Sequence, residues 1–560
     1  MDIRQEADTR RRTGEARFRT EKSELRNPQS GITSRFRLQD PRVYRPLAVL
    51  SSGLLLAASF PRPSLAPLAW IALVPVLLAI RGLTARRAFF VGWTAGTAAF
   101  IFTIPWIVAT IVEYGHLPLP VGVGAWILLS AYLGLFTGAW AAFARLIEPY
   151  SASLRAAGLA ASWTALEYLR THLFTGFPWM LLGYSQLPFL PLIQFAAFTG
   201  VYGVSFLVAW GNAGLASAFA STEEKWSRIA AAAPPLLAAA ALSLYGAWEM
   251  GLPAPDGDAL HAAIVQGNID QSKKWNPRYQ QEVFETYQRL TREAAGRLKD
   301  APQGFRLVLW PETATPFHFG YDISRTGELR DFQAALGLPL LFGTPTVERN
   351  PGRPILHNSV ILLAADGSAG PRYDKMHLVP YGEYVPLKPL FPFLEKMVTA
   401  IGDFGEGREY TVMRGAGVPL GTLICYEVIF PDQARRFVAS GARVLVTVTN
   451  DAWFGRTGAP YQHFAMAAFR AVENGVPLIR AANTGISGVI DARGRVLGSG
   501  PLFEPWVHAQ TVIAPKEAGT FYSRWGNLFA QASSAAALAL MIAAWRRPAG
   551  GKGKKKRRLE

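Results

Sequence analysis

The chain of 560 residues holds a single cysteine, Cys425, in the stretch Gly417-Val-Pro-Leu-Gly-Thr-Leu-Ile-Cys-Tyr-Glu-Val-Ile-Phe-Pro431. Val418 to Ile424 is a short apolar run behind Gly/Pro punctuation, the pattern of a buried strand. The thiol therefore stands at the carboxyl end of a strand, where α/β folds collect their ligands. A thiol is only slightly ionised at neutral pH, so using it as a nucleophile requires a base. Two other stretches supply partners. Leu307-Val-Leu-Trp-Pro-Glu312 reads as a strand delivering a carboxylate at its end, and Tyr373-Asp-Lys-Met-His-Leu-Val-Pro-Tyr-Gly-Glu-Tyr-Val-Pro386 sets Lys375 in a loop dense in Pro and Gly. A carboxylate buried there has a raised pKa and serves as base. An ammonium beside it stabilises thiolate and then oxyanion, and the backbone N–H of Tyr426 can complete the hole. Glu312, Lys375 and Cys425 are separated by 63 and 50 residues, each near a strand end, so one fold can gather them.

The elements that must position them lie between about residues 252 and 518. Strand-like runs are His261–Val265, Arg306–Trp310, Leu338–Phe342, Ser359–Leu363, Val418–Ile424 and Arg443–Val448. Helical patterns fall between several of them, at Gln280–Leu298, Arg330–Leu336, Pro431–Ser440 and Tyr461–Asn474. Ala365-Asp-Gly-Ser and Asp491-Ala-Arg-Gly are tight-turn signals. This alternation predicts one α/β domain.

The rest of the chain belongs to a different solvent. Hydrophobic residues make up 50% of the sequence, charged residues only 17%, and there are 16 Trp and 33 Phe, a balance that indicates a membrane protein with a soluble part. Seven apolar segments are expected, roughly 45–60, 66–81, 88–112, 121–146, 155–170, 189–219 and 229–249, with an eighth at 526–545. Residues 1–44 read as a basic disordered extension and 546–560 as a basic tail. The net charge of +17 is concentrated there: residues 1–46 hold 12 Lys/Arg against 7 Asp/Glu, and 546–560 hold 8 against 1. Basic tails flanking apolar spans fit anionic lipid headgroups and cytoplasmic loops, so no nucleic-acid partner is expected. Arg81, Arg86, Arg87, Arg145, Arg155, Lys225 and Arg228 fall in one set of loops, and only Arg62 and Arg170 in the other. That asymmetry puts both termini inside and the α/β domain outside. A lone cysteine excludes an intramolecular disulfide, and the eight scattered histidines show no ligand spacing, so neither metal nor cofactor is expected.

The order Glu, Lys, Cys, carried by Trp-Pro-Glu, Tyr-x-Lys-x-His and Ile-Cys-Tyr-Glu, resembles the nitrilase (carbon–nitrogen hydrolase) superfamily. The longer lysine-loop string and Thr449-Asn-Asp-Ala-Trp-Phe-Gly455, together with the spans, make residues 45–545 resemble its membrane branch, the apolipoprotein N-acyltransferases of Gram-negative bacteria. The resemblance implies a polytopic helical bundle joined to an αββα sandwich. It also implies an acyl transfer in which Cys425 attacks an ester of a membrane phospholipid, with Glu312 as base and Lys375 on the oxyanion. The thioester then passes its acyl chain to the α-amine of a diacylglyceryl-cysteine at an apolipoprotein N-terminus in the bacterial inner membrane. Glu383 is implied as support for the lysine, Tyr426, Glu427 and Trp453 as residues around the site, and Trp248 as a gate for lipid.

Other readings share parts of this pattern. A membrane-tethered amidase would use the same triad with water, though a tether needs one span rather than seven. A Cys–His dyad would draw on His377 or His318. A transporter would need more intramembrane charge than Glu167-Tyr-Leu-Arg170 provides. The apolar connection Leu387–Gly402 is expected either to pack on the core or to act as a lid dipping Phe391, Phe393, Leu394 and Met397 into lipid.

Overall fold

The computed structural model describes residues 40–220, 225–350, 354–384 and 404–547, so the expected lid at 387–402 and most of both basic tails lie outside the described residues, while residues 41–44, expected within the disordered extension, already form the start of a helix. The chain divides into residues 1–47 and 48–560, and all contacts below belong to the second unit.

The apolar part forms helices α1 (Pro41–Ala58), α2 (Ala85–Thr103), α3 (Leu119–Leu146), α4 (Ala152–His172), α5 (Val201–Ala220) and α6 (Lys225–Gly251). Close approach of α2 and α3 depends on small residues. A Cβ on Gly96 would sit 2.5 Å from Thr137 Oγ1, and one on Gly134 2.4 Å from Thr97 Oγ1. Among the described residues, four helices are long and apolar enough to cross a membrane, spanning 119–146, 201–219, 228–251 and 528–546. A fifth is formed if α2 and the segment Trp106–Tyr114, bent by 56°, count together. The segment expected at 66–81 is instead two short pieces, Ala66–Trp70 and Val74–Ala79. The one expected at 189–219 breaks into Leu190–Ile193, Ala196–Thr199 and α5, with Gly200 at φ +64° between the last two. A hydropathy run does not register such breaks, because a positive-φ glycine interrupts the helix without adding polarity.

Among the described residues, the catalytic-domain candidate contains twelve strands in two six-stranded sheets, ordered β12-β1-β2-β3-β4-β5 and β11-β10-β9-β8-β7-β6. In the first, β1 (Gly257–Gln266), β2 (Phe305–Leu309) and β3 (Leu340–Glu348) are parallel, flanked by antiparallel β4 (Ile355–Leu363), β5 (Ala369–Asp374) and, beyond β1, β12 (Trp506–Pro515). The second repeats the plan. Its β7 (Leu420–Ile424), β8 (Val444–Thr449) and β9 (Leu478–Ala482) are parallel, with antiparallel β6 (Val412–Met413) on one side and β10 (Gly488–Ile490) and β11 (Val496–Ser499) on the other.

Alternate residues of the first sheet divide between two cores, as a period of two requires. Leu260, Ala262, Ile264, Leu307 and Leu309 join the core shared with the second sheet. Ala263, Val265, Val308 and Trp310 pack outward with Phe284, Tyr287 and Leu290 of α7 (Gln280–Lys299). On the far side of the second sheet lie α8 (Pro431–Ala439) and α9 (Ala459–Asn474). The layers therefore run helix, sheet, sheet, helix, with the shared core between the sheets.

α9 is buried along nearly its whole length because the bundle covers its outer side. Gln462 accepts from Trp179 Nε1 at 2.7 Å and donates to Thr103 O at 3.1 Å, Glu473 accepts the Val201 N–H at 2.9 Å, and Arg470 donates to Tyr184 OH at 2.9 Å. The last helix, α10 (Leu528–Arg546), returns to the bundle and packs on α4, where Leu540 lies against Gly158 and Gln531 reaches Tyr168 OH at 3.5 Å.

Candidate active site

β7 delivers Cys425, 8% exposed, at a sharp elbow. Its φ of +51°, unusual for a side chain with a Cβ, turns the strand directly into the 3₁₀ turn Cys425–Ile429. Glu427 in that turn is fully buried and reaches both ways. One carboxylate oxygen accepts the Ile424 N–H at 2.7 Å; the other accepts from Tyr373 OH at 2.8 Å, the Met376 N–H at 2.8 Å and the His377 N–H at 3.1 Å. Glu427 thus ties the cysteine elbow to the loop that follows β5. Burial pushes its carboxyl up to about 7, against the pull of these hydrogen bonds.

That loop carries Lys375, whose Nζ lies 2.9 and 3.0 Å from the two carboxylate oxygens of Glu383 and 3.7 Å from Glu312 Oε1. Burial opposes its charge, but Glu383, Glu312 and Cys425 together hold the ammonium above its ordinary range. Glu312 stands just past the end of β2, where the backbone of β3 comes so close that a Cβ on Gly343 would sit 2.6 Å from Glu312 Cα. Asn358 Nδ2 bridges the two carboxylates, donating to Glu312 Oε1 at 2.7 Å and Glu383 Oε1 at 2.9 Å. The Asn450 N–H, at the end of β8, donates to Glu312 Oε2 at 2.9 Å. The structure therefore brings Glu312, Lys375, Glu383 and Cys425 into one electrostatically coupled cluster, with both sheets contributing.

Burial and the Glu312 charge push the Cys425 thiol well up, opposed by Lys375 and a hydrogen bond with Thr449. At rest it is a thiol. Ionisation must therefore accompany proton transfer to a base.

The histidine that reaches Cys425 is neither His377 nor His318. His463 Nε2 lies 3.1 Å from the Cys425 carbonyl oxygen, and its Nδ1 is 3.0 Å from both Asp451 Oδ1 and Arg480 Nη2. Burial and Arg480 lower its proton affinity, so the neutral ring supports the elbow through its backbone. His377 packs on Phe430 at 4.0 Å and is pushed down to about 4, chiefly by burial.

The residues just past Cys425 and past β8 face the bundle. Tyr426 OH donates to Gly176 O at 3.3 Å, and Thr110 Oγ1 donates to Trp453 O at 2.8 Å, with the Trp453 ring 5.8 Å from Tyr114. Trp248 is not brought to this cluster: it is 60% exposed on α6, with its ring against Tyr245 at 5.8 Å.

Sequence comparison agrees with both halves of the chain. Residues 52–214 match the apolipoprotein N-acyltransferase N-terminal domain and residues 261–514 the carbon-nitrogen hydrolase family. A protein of Geobacter metallireducens named apolipoprotein N-acyltransferase is 42% identical over 504 residues, covering 90% of this chain and 95% of the relative. The chain belongs to the apolipoprotein N-acyltransferase family. Relatives of the same name from Allorhizobium ampelinum (39% identical; 74% of this chain, 78% of theirs) and Gloeobacter violaceus (33%; 94% and 99%) extend the likeness.

Asn358, Asn450, His463 and Lys274 were not singled out from the sequence. Asn450 lies inside the quoted Thr449–Gly455 string. Asn358, mid-strand on β4, and Lys274, whose Nζ donates to the Glu312 carbonyl at 3.0 Å, carry no local signal.

Proposed function

We propose that this protein N-acylates apolipoproteins by a two-step transfer through Cys425. Glu312 takes the thiol proton as sulfur attacks the ester carbonyl of a membrane phospholipid. The carbonyl electron pair moves onto oxygen, where Lys375 and the Tyr426 N–H stabilise it. Collapse expels the lysophospholipid alkoxide, which recovers the proton from Glu312, and leaves a thioester. The α-amine of a diacylglyceryl-cysteine then attacks the thioester, gives its proton to Glu312, and leaves as the amide while sulfur is reprotonated. Glu383 holds Lys375, and Glu427 fixes the elbow.

The observation that carries this reading is the seam between site and bundle. The residue after the nucleophile and the Trp453 segment both bond to apolar-helix connections, through Gly176 and Thr110. A water-using amidase has no need of such a roof; an enzyme drawing its ester from lipid does. The reading takes the bundle as 45–250 with about seven spans, the domain as 252–518 on the periplasmic side of the inner membrane, and an eighth span at 526–545, with both termini cytoplasmic. The Arg/Lys asymmetry supports that orientation.

Protein purified from membranes should carry an acyl mass on the Cys425 peptide that hydroxylamine removes; an unmodified peptide after incubation with phospholipid would overturn the reading. A periplasm-dependent reporter fused after Pro253 should be active and one fused after Lys552 silent.

A further inference from the structure

The loop after β1 places two lysines side by side with opposite fates. Lys273 points outward and pairs with Glu282 at 3.1 Å, both partly exposed. Lys274 is 2% exposed. Its Nζ donates to the backbone carbonyl of Glu312 at 3.0 Å, and among the described residues it has no carboxylate partner and no second acceptor. A buried ammonium with two unspent N–H groups is costly unless its charge is answered nearby. The same short turn, Gln271–Lys274, grips Glu312 from a second direction: Gln271 Oε1 accepts from Asn450 Nδ2 at 2.8 Å, and the Asn450 N–H is donated to the Glu312 carboxylate. Asn483 completes the brace by donating to Asn450 Oδ1 at 3.1 Å and to Ile269 O at 2.8 Å.

The charges around Lys274 can be counted. Glu312 and Glu383 against Lys375 leave one negative charge in the buried cluster. Asp451 is already answered by Arg480 at 2.7 Å, Glu427 stands on the far side of the elbow among its own donors, and Asp270 caps the turn by accepting from Ser272. During acyl transfer the negative charge is only relocated, from the carboxylate to sulfur to the carbonyl oxygen. A second fixed cation answers it at every stage.

We propose that Lys274 is a positioning residue of the acyl-transfer site, clamping the Glu312 backbone and supplying the second buried positive charge that balances Glu312 and Cys425. This rests on the reading of Cys425 as nucleophile and Glu312 as base. Burial pushes the Lys274 ammonium down to about 8, while Glu312 and Cys425 pull it back. Its folded-state pKa lies below that of a free lysine, so its charge is present at neutral pH and lost as pH rises through about 8.

Cys425 is the only thiol, so intact mass reports its alkylation by iodoacetamide without any lipid. With full-length protein in detergent, the wild-type alkylation rate should climb with pH as the thiol ionises, but by clearly less than the roughly tenfold per pH unit of an isolated thiol once pH passes about 8, because the Lys274 charge that favours the thiolate is lost there. Lys274→Met should be slower by about tenfold at neutral pH and climb through that range without the shortfall. Lys274→Arg, which keeps its charge, should retain the rate to higher pH. A wild-type rate that climbs through pH 8 with no shortfall against an isolated thiol, or a Lys274→Met profile that tracks wild type, overturns the proposal. If Lys274→Met loses its circular-dichroism melt, the wild-type profile and Lys274→Arg decide. Alkylation behaving as expected while phospholipid never acylates Cys425 would instead remove the acyl-transfer reading and leave Lys274 paired with the Glu312–Cys425 couple.

Discussion

Two regions of this molecule bury a glutamate close to a cation, and they treat the pair differently. In the bundle, Arg170 on α4 makes one long hydrogen bond, 3.4 Å to Met180 O, leaves Nε without a partner, and lies 5.2 Å over the Phe100 ring. Glu167 accepts from Trp163 and Leu182 instead, and both side chains line a cavity of about 50 Å³ with Phe60, Leu133 and Met180. In the domain, Lys375, Glu383 and Glu312 spend their polar atoms on one another, on Asn358 and on backbone N–H groups. The bundle pair has room to shift; the domain cluster has almost none. Fixed dipoles and charges are what stabilise a transition state without reorganising. The domain cluster has the fixed geometry that the proposed transfer requires, and the bundle pair does not.

Substitutions should separate the two. Cys425→Ala should abolish the acyl-enzyme mass and reduce transfer by about 10³-fold or more while the protein still folds. Transfer retained within about tenfold would end the assignment. Lys375→Met should cost roughly 10²–10³ in acylation rate and Glu312→Gln about 10² in each half-reaction, read by burst and steady-state kinetics. A nearly silent Lys375→Met would mean the lysine loop is not part of the chemistry.

Glu427 sharpens the contrast through pH. Its folded carboxyl is raised above the ordinary 4.5 to about 7, so its contribution to stability is fully present below about 4.5 and lost as pH rises through 7. The melting temperature of wild type minus that of Glu427→Gln should therefore be larger at pH 5 than at pH 8. An unchanging difference would mean the carboxyl titrates alike in folded and unfolded chains. The smallest effect should be at the bundle: Glu167→Gln should lower the melting temperature by a few degrees, about 1 kcal/mol, and leave acylation within about twofold. A loss there as large as for Glu312→Gln would erase the distinction.

The strands that carry chemistry were the legible ones. β1, β2, β3, β4, β7 and β8 are largely buried on both faces, so each carries a recognisable apolar stretch. β6, β10 and β11 have two to four residues, too few to show a period, and β12 at a sheet edge mixes exposed and buried positions without clean alternation. Glu312, Lys375 and Cys425 could be singled out because each follows a strand or sits in a Pro/Gly loop. Asn358 and Lys274 act on Glu312 from 46 and 38 residues away, a distance at which no local pattern forms. Trp248 shows the same limit, because an aromatic near a helix exit reads alike whatever it faces.

The return of α10 onto α4 changes what the domain is mechanically. A module hung on one helix can swing and search. This one is an insertion, entered from α6 and left through α10, with α9 wedged against the bundle between those points. Pinned at entry, exit and middle, the cysteine has no reach of its own. Its height above the helices is set once, when the chain folds, and both partners in the exchange must travel to meet it there.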